Sequence, residues 1–361
     1  MGMKIAFFGS SLVSARWNGA ATYYRGILRA LAGHGHRTTF YEPDAYERQR
    51  HRDIADPPWA EVVVYSGEEG ALRSVAESSA ADLIVKASGV GIADALLERA
   101  VLEQRRARQL VAFWDVDAPA TLDRVQRDAQ EPFRALIPGY DVIFTYGGGQ
   151  RVVDAYRALG ARACVPIYNA LDPETHRPEP PDQRFAGDLS LLANRLPDRE
   201  ARCDEFFFKA AALEPNQRFV LGGSGWDDKP RSSNVQYVGH VYTHEHNAFN
   251  TSTRAVLNVS RDCMAATGFS PATRVFEAAG AAACVITDAW QGIDQFFEPG
   301  REILVAEHAE DVRRHLRELT PSRRERIGHA ARARALRDHT YAQRALEVER
   351  VLGLAALELA S

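Results

Sequence analysis

Ala255-Val256-Leu257-Asn258-Val259-Ser260 and Ala283-Cys284-Val285-Ile286-Thr287 flank a helix opening, Phe269-Ser270-Pro271-Ala272-Thr273-Arg274-Val275-Phe276-Glu277. Short apolar runs on either side of a helical pattern read as strand, helix, strand, the unit that builds a parallel sheet covered by helices. The alternation extends outward almost from end to end. In the first half strands are expected at 4–9, 37–41, 61–65, 82–87, 109–114, 141–146 and 162–167, with helices such as 20–32 and 93–106 between them. In the second half strands are expected at 188–193, 218–221, 235–238, 255–260, 283–287 and 302–305, and 322–357 reads as long Ala/Arg/Leu/Glu helices interrupted near His339-Thr340. The fold class is therefore α/β, with two doubly wound domains.

The chain has 361 residues, more than a single core usually supports, so two domains facing a central cleft are expected. Between the two series, Asp172-Pro173, Arg177-Pro178 and Pro180-Pro181 break any regular element. The boundaries follow: an N-terminal domain over 1–168, a linker over 169–184 about which the halves hinge, a C-terminal domain over 185–338, and a terminal helix over 339–361 that can cross back to the first domain. Apolar residues make up 45% and charged residues 25%, and the formal charge of -4 gives no basic excess for a phosphate backbone, so nucleic acid is not expected as a partner. The apolar run Ile5-Ala6-Phe7-Phe8 is too short for a signal peptide or a membrane span, and the reading is a cytoplasmic protein with no integral membrane segment. Cys164, Cys203, Cys263 and Cys284 form no C-x-x-C pair and read as reduced thiols.

Ligands of open α/β sheets bind beyond the carboxyl ends of the strands, so the loops there are the candidate site. Ser270 as N-cap and Pro271 at the first helical position open a helix whose free N–H groups and positive dipole end suit an anion. Arg274 and Glu277, three apart, share one face, with Thr273 beside them; a salt bridge on a solvated face is the plain alternative. Gly222-Gly223-Ser224-Gly225-Trp226 ends a strand in a glycine turn where Gly223 and Ser224 approach a phosphate and Trp226 stacks on a ring, or it is only a tight turn. Arg195 and Arg199 follow the first strand of the second half and reach a diphosphate or stay solvated.

In the first half Gly9, Ser10, Ser11 and Gly19 form a loop after the first strand without the G-x-G-x-x-G dinucleotide fingerprint, and Gly147 and Gly148 make another glycine turn. Asp115 and Asp117 end a strand; as a pair they suit a general base, while a capping role accounts for Asp117 alone. His240, His244 and His246 lie near one another, but no Cys or carboxylate completes a metal ligand set at a recognisable spacing, and no metal is expected.

The second half resembles glycosyltransferases of the CgeB or spore-maturation-protein type, a GT-B branch, over most of 188–319. The matching string is Val256-Leu257-Asn258, Gly268-Phe269-Ser270-Pro271-Ala272-Thr273-Arg274-Val275-Phe276-Glu277-Ala278-Ala279, Ile286-Thr287-Asp288, Phe296-Phe297 and Pro299-Gly300-Arg301-Glu302-Ile303-Leu304. Tyr168-Asn169-Ala170-Leu171-Asp172 with Pro178 is similar to the family's P-N-G-V-D…P segment, with Ala170 in place of its glycine. The resemblance implies a GT-B fold of two Rossmann-like domains, the acceptor on the first, and a UDP-, GDP- or dTDP-linked sugar on the second with no cofactor. It makes Glu277 the ribose-binding residue and Arg274, Arg195 and Arg199 the metal-free stabilisers of the leaving diphosphate. Many retaining members carry a second glutamate eight residues before the first, where this chain has Phe269, so inversion with Asp115 or Asp117 as base is the expectation. The acceptor, whether small molecule, glycan or protein, stays open. A nucleotide-sugar epimerase or isomerase and a non-catalytic nucleotide-sugar-binding protein are the competing readings on the same scaffold.

Overall fold

The computed structural model describes residues 2–360, with side chains to 357. The chain divides into two compact units, residues 1–168 with 341–361 and residues 169–340. The first holds seven parallel strands: β1 (Lys4–Phe8), β2 (Arg37–Pro43), β3 (Ala60–Tyr65), β4 (Leu83–Ala87), β5 (Leu110–Asp115), β6 (Val142–Thr145) and β7 (Cys164–Pro166), in spatial order β3-β2-β1-β4-β5-β6-β7. The second holds six: β8 (Gly187–Leu192), β9 (Phe219–Gly222), β10 (Val235–Gly239), β11 (Thr253–Asn258), β12 (Val285–Asp288) and β13 (Leu304–Ala306), in order β10-β9-β8-β11-β12-β13. In each sheet the order reverses once, between β1 and β4 and between β8 and β11, and such a switch point leaves a crevice at the carboxyl ends of the strands.

Central strands are apolar because helices cover both their faces. All residues of β4 and β5 are buried, whereas β3, at the sheet edge, has only Tyr65 fully buried. The terminal helices break where the sequence suggests, one ending at Asp338 and the next running Tyr341–Ala360. The latter belongs to the first unit, where the Tyr341 ring lies 5.8 Å from that of Tyr23 and fills the space above Gly26. Among the described residues no helix is long and apolar enough to cross a membrane.

The proline-rich stretch 169–184 is packed within the second unit. Leu171 is buried and its N–H donates to the carbonyl of His339 at 2.8 Å. Its course is set by Gly280, the last residue of the helix Thr273–Gly280: a Cβ there would lie 2.4 Å from Leu171 Cδ1 and 2.7 Å from the His176 carbonyl oxygen. Gly280→Ala is therefore expected to push the 171–176 segment off the helix at a cost of about 1–3 kcal/mol, read as a lowered melting temperature. An unchanged melting temperature would show that the close approach is not required.

Candidate functional site

The helix Thr273–Gly280 follows β11 and points one buried face at the 169–177 segment. Glu277 lies on that face with its side chain 5% exposed, and Arg274, one turn earlier, sets Nη1 3.2 Å from Glu277 Oε2. The pair is thus neither the solvated salt bridge nor a pair of exposed hooks. Burial pushes the Arg274 guanidinium below its ordinary value, and the neighbouring Glu277 charge pulls it back up; a guanidinium nonetheless stays protonated.

Three polar side chains from distant parts of the chain complete the setting. His176 Nε2 lies 4.0 Å from Glu277 Oε1, His246 Nδ1 lies 3.9 Å from Oε2, and Asn250 Oδ1 lies 3.5 Å from Arg274 Nη1. Asn169 closes the entrance of the helix by donating Nδ2–H to the Pro271 carbonyl at 2.8 Å. Asn169 Oδ1, Asn250 Nδ2 and Arg274 Nε are buried and meet no hydrogen-bonding partner among the described residues. Such groups cost about 1–3 kcal/mol each when left unsatisfied, so a cluster of them marks a place shaped for a polar ligand.

His176, His246 and Glu277 also bring one ligand atom each to within 4.8 Å of one another. The carboxylate missing from the histidine run 240–246 in the sequence is Glu277, supplied from 31 residues further on. His240 and His244 take no part: both are exposed, and they flank the Tyr242 ring. The Arg274 cation on the same carboxylate opposes a divalent ion there.

Several sequence expectations need correction. Ser270 does not cap the helix, because its hydroxyl donates to the Gly268 carbonyl at 2.9 Å; the helix begins at Thr273 after Ala272, which makes no side-chain cap. Trp226 stacks on no ligand, being fully buried with its Nε1–H donating to the Ala193 carbonyl at 2.7 Å. Gly223, at φ +115°, is required by the chain itself: a Cβ would sit 2.1 Å from that same carbonyl oxygen. Ser224 donates its N–H to Asn194 Oδ1, so this turn is tied to the loop after β8. Arg195 is engaged by Glu200 at 2.7 Å and Asp228 at 2.8 Å, and the paired cations Arg195 and Lys229 hold the Glu200 carboxyl down at about 2. Arg199 lies on the helix Pro197–Cys203 beside the Cys203 thiol, whose pKa burial raises and the Arg199 charge lowers only in part. Arg195 is thus held in place by Glu200 and Asp228.

In the first unit Asp115 is fully buried and engaged at both oxygens. Oδ1 accepts from Ser88 Oγ at 2.7 Å, Thr121 Oγ1 at 3.0 Å and the Asp117 N–H at 3.0 Å, while Oδ2 accepts from Tyr156 Oη at 2.5 Å. Burial raises its pKa, with the Tyr156 and Ser88 hydrogen bonds lowering it in part. Both its oxygens are thus taken up by donors of the protein itself, and Asp115 ties the loops after β4 and β5 together. Asp117, half-buried, stands just before the helix Ala118–Arg127 without capping it. Gly9 makes room for the Phe40 ring, 2.4 Å from where its Cβ would lie. Ser10 and Ser11 hold the loop through Asn18 Oδ1 and Glu42 Oε1, Gly19 faces open space, and Gly148 takes φ +91° before the helix Gly149–Ala158.

Sequence missed His176 and Asn250. The only pointers to them are the 168–172 segment matching the P-N-G-V-D stretch, four residues before His176, and the polar residues of 246–250 after β10, and neither carries a spacing that leads to Glu277.

Two parallel doubly wound sheets, each with its switch point, define a GT-B fold. Residues 199–350 match the family model described as "Glycosyl transferase-like". By sequence, no curated protein matches the chain. Among solved structures the chain is similar to HepE of Anabaena in complex with UDP-glucose, at 13% identity and TM-score 0.66 over 97% of this chain and 99% of that one. It is similar to the sucrose-phosphate synthase of Thermosynechococcus elongatus, at 14% identity and TM-score 0.69 over 99% and 100%. AviGT4, a glycosyltransferase of avilamycin A biosynthesis, gives 17% and 0.61 over 98% of both chains.

Proposed function

We propose that the protein is a glycosyltransferase of the CgeB-like kind that binds a nucleotide-sugar in its second unit and transfers the sugar without a metal. The observation that carries this reading is the sealed polar group around Arg274 and Glu277, with the unsatisfied atoms of Asn169, Asn250 and Arg274 beside it. The Glu277 carboxylate accepts hydrogen bonds from the ribose hydroxyls, and Arg274 with the first-turn N–H groups from Thr273 onward faces the diphosphate. In the transfer the bond from sugar C1 to the diphosphate oxygen breaks with its electron pair leaving on the diphosphate. A new bond forms from C1 to the acceptor oxygen, whose proton passes to a base. Arg274 offsets the charge that develops on the leaving group.

Phe269 at the position of the second glutamate supports inversion, and with Asp115 enclosed, Asp117 is the carboxylate left for the base. Phe269 itself adopts φ +46°, a strained conformation for a bulky residue and one that gathers at functional sites. Burial pushes the thiols of Cys164, Cys203 and Cys284 up to about 12, which keeps them protonated.

A thermal-shift panel of UDP, GDP and dTDP with their sugars tests the reading. A ligand at a hundred times its dissociation constant adds about 2.7 kcal/mol, so one base class is expected to raise the melting temperature by several degrees. No shift with any of them would refute nucleotide-sugar binding.

A further inference from the structure

Three loops at the carboxyl ends of β1, β2 and β4, on both sides of the switch point of the first sheet, carry an unusual concentration of strained backbone. Trp17, Tyr46, Glu47 and Ala93 have φ of +49°, +54°, +55° and +57°. A left-handed conformation costs an L-residue on the order of 1 kcal/mol or more, and for a bulky side chain it is a genuine outlier. The two aromatic residues among them are also the two most exposed large aromatic side chains among the described residues, Trp17 at 45% and Tyr46 at 55%.

The strain is held by a buried framework. Arg48, 5% exposed, donates Nη1–H to the Ser10 carbonyl at 3.0 Å and Nη2–H to the Trp17 carbonyl at 3.5 Å, and its guanidinium stands 5.0 Å from the Tyr46 ring centre. Below it Arg25 and Asp53 form an almost fully buried ion pair at 2.7 Å, and Asp53 accepts the Ala15 N–H. Arg16 reaches Glu47 at 3.6 Å, and Tyr46 Oη donates to the Gly91 carbonyl at 3.0 Å. Thus Arg48 and Arg16 link the first loop to the second, and Tyr46 links the second to the third. A chain that folds so much polar structure beneath two rings, and keeps both rings in water at a cost in backbone strain, is holding a surface in a fixed shape.

We propose that Trp17 and Tyr46 form a stacking platform for a pyranose ring, so that the acceptor is a saccharide; this rests on the glycosyltransferase reading above. A pyranose presents an apolar face of axial C–H groups that matches the electron-rich face of an aromatic ring. Its equatorial hydroxyls project from the edge, and Arg16 and Glu47, the chain neighbours of the two aromatic residues, offer a donor and an acceptor. Two isolated rings fringed by a charged pair are too small and too polar a surface for a membrane or a protein partner.

The test is saturation-transfer NMR with methyl pyranosides of glucose, galactose, mannose and N-acetylglucosamine, on wild type, Trp17→Gly and Tyr46→Gly. Glycine tolerates positive φ, so Trp17→Gly is expected to keep the melting temperature, and Tyr46→Gly to stay folded with a modest drop from the lost Gly91 hydrogen bond, while in each the dissociation constant of the bound pyranoside rises about tenfold or more. Binding of the nucleoside diphosphate is expected to stay as in wild type. If both variants bind the saccharide as wild type does, or if wild type binds no pyranoside although it binds the nucleotide-sugar, the platform is wrong. Saccharide binding that is lost in the variants, in a protein that takes up no nucleotide-sugar at all, would leave the platform standing and remove the transferase reading instead.

Discussion

Glu277→Ala and Arg274→Ala are each expected to weaken nucleotide-sugar binding by about tenfold to over a hundredfold, the equivalent of losing one charge-assisted contact of roughly 1.5 to 3 kcal/mol. Both are also expected to lower stability, because the pair is buried and removing one member strands the other. Breaking such a pair typically costs about 3–5 kcal/mol. The two effects separate in a double variant. Arg274→Met with Glu277→Gln leaves no buried net charge and is expected to recover much of the lost melting temperature while still failing to bind donor. Titration calorimetry and thermal denaturation on the same samples check this. Donor affinity that returns together with stability would show that the pair only supports the fold.

Asp115→Ala is expected to have the largest effect on stability in the first unit. It withdraws one acceptor from four buried donors: the Ser88, Thr121 and Tyr156 hydroxyls and the Asp117 N–H. A loss of about 3–5 kcal/mol follows from stranded buried donors, or roughly 10 °C for a unit of this size. Asp115→Asn should cost far less, since the amide oxygen still accepts and its NH2 meets the Tyr156 oxygen. Turnover per folded molecule is expected to be unchanged in Asp115→Asn but to fall about a hundredfold in Asp117→Asn, with donor affinity nearly unaltered in both. If Asp115→Asn alone abolishes turnover in a fully folded protein, the enclosed carboxylate takes part in the chemistry after all.

That contrast shows where a sequence stops being legible. Every strand was readable to within a few residues, because a parallel strand covered on both faces must be an apolar run, as β4 and β5 are, and the break at His339-Thr340 was visible in the terminal helices. The loops were harder. Sequence places Asp115, Trp226 and Ser270 at the ends of strands and the start of a helix, where ligands bind, but not the direction each side chain takes. In the fold Asp115 turns into four donors, Trp226 into the Ala193 carbonyl and Ser270 back onto Gly268. Arg274 and Glu277 were legible because a helical spacing of three fixes their common face. Their companions were not: His176 lies 101 residues before Glu277 and reaches it only because Gly280 lets the 171–176 segment come close.

The central claim is that Glu277 reads the donor ribose. The most direct measurement is the dissociation constant of the nucleotide-sugar and of its 2′,3′-dideoxyribose analogue, on wild type and on Glu277→Gln. Wild type is expected to prefer the intact ribose by about tenfold or more, the worth of a charge-assisted hydrogen bond, and the variant to lose most of that preference. An equal preference in both proteins would contradict the assignment.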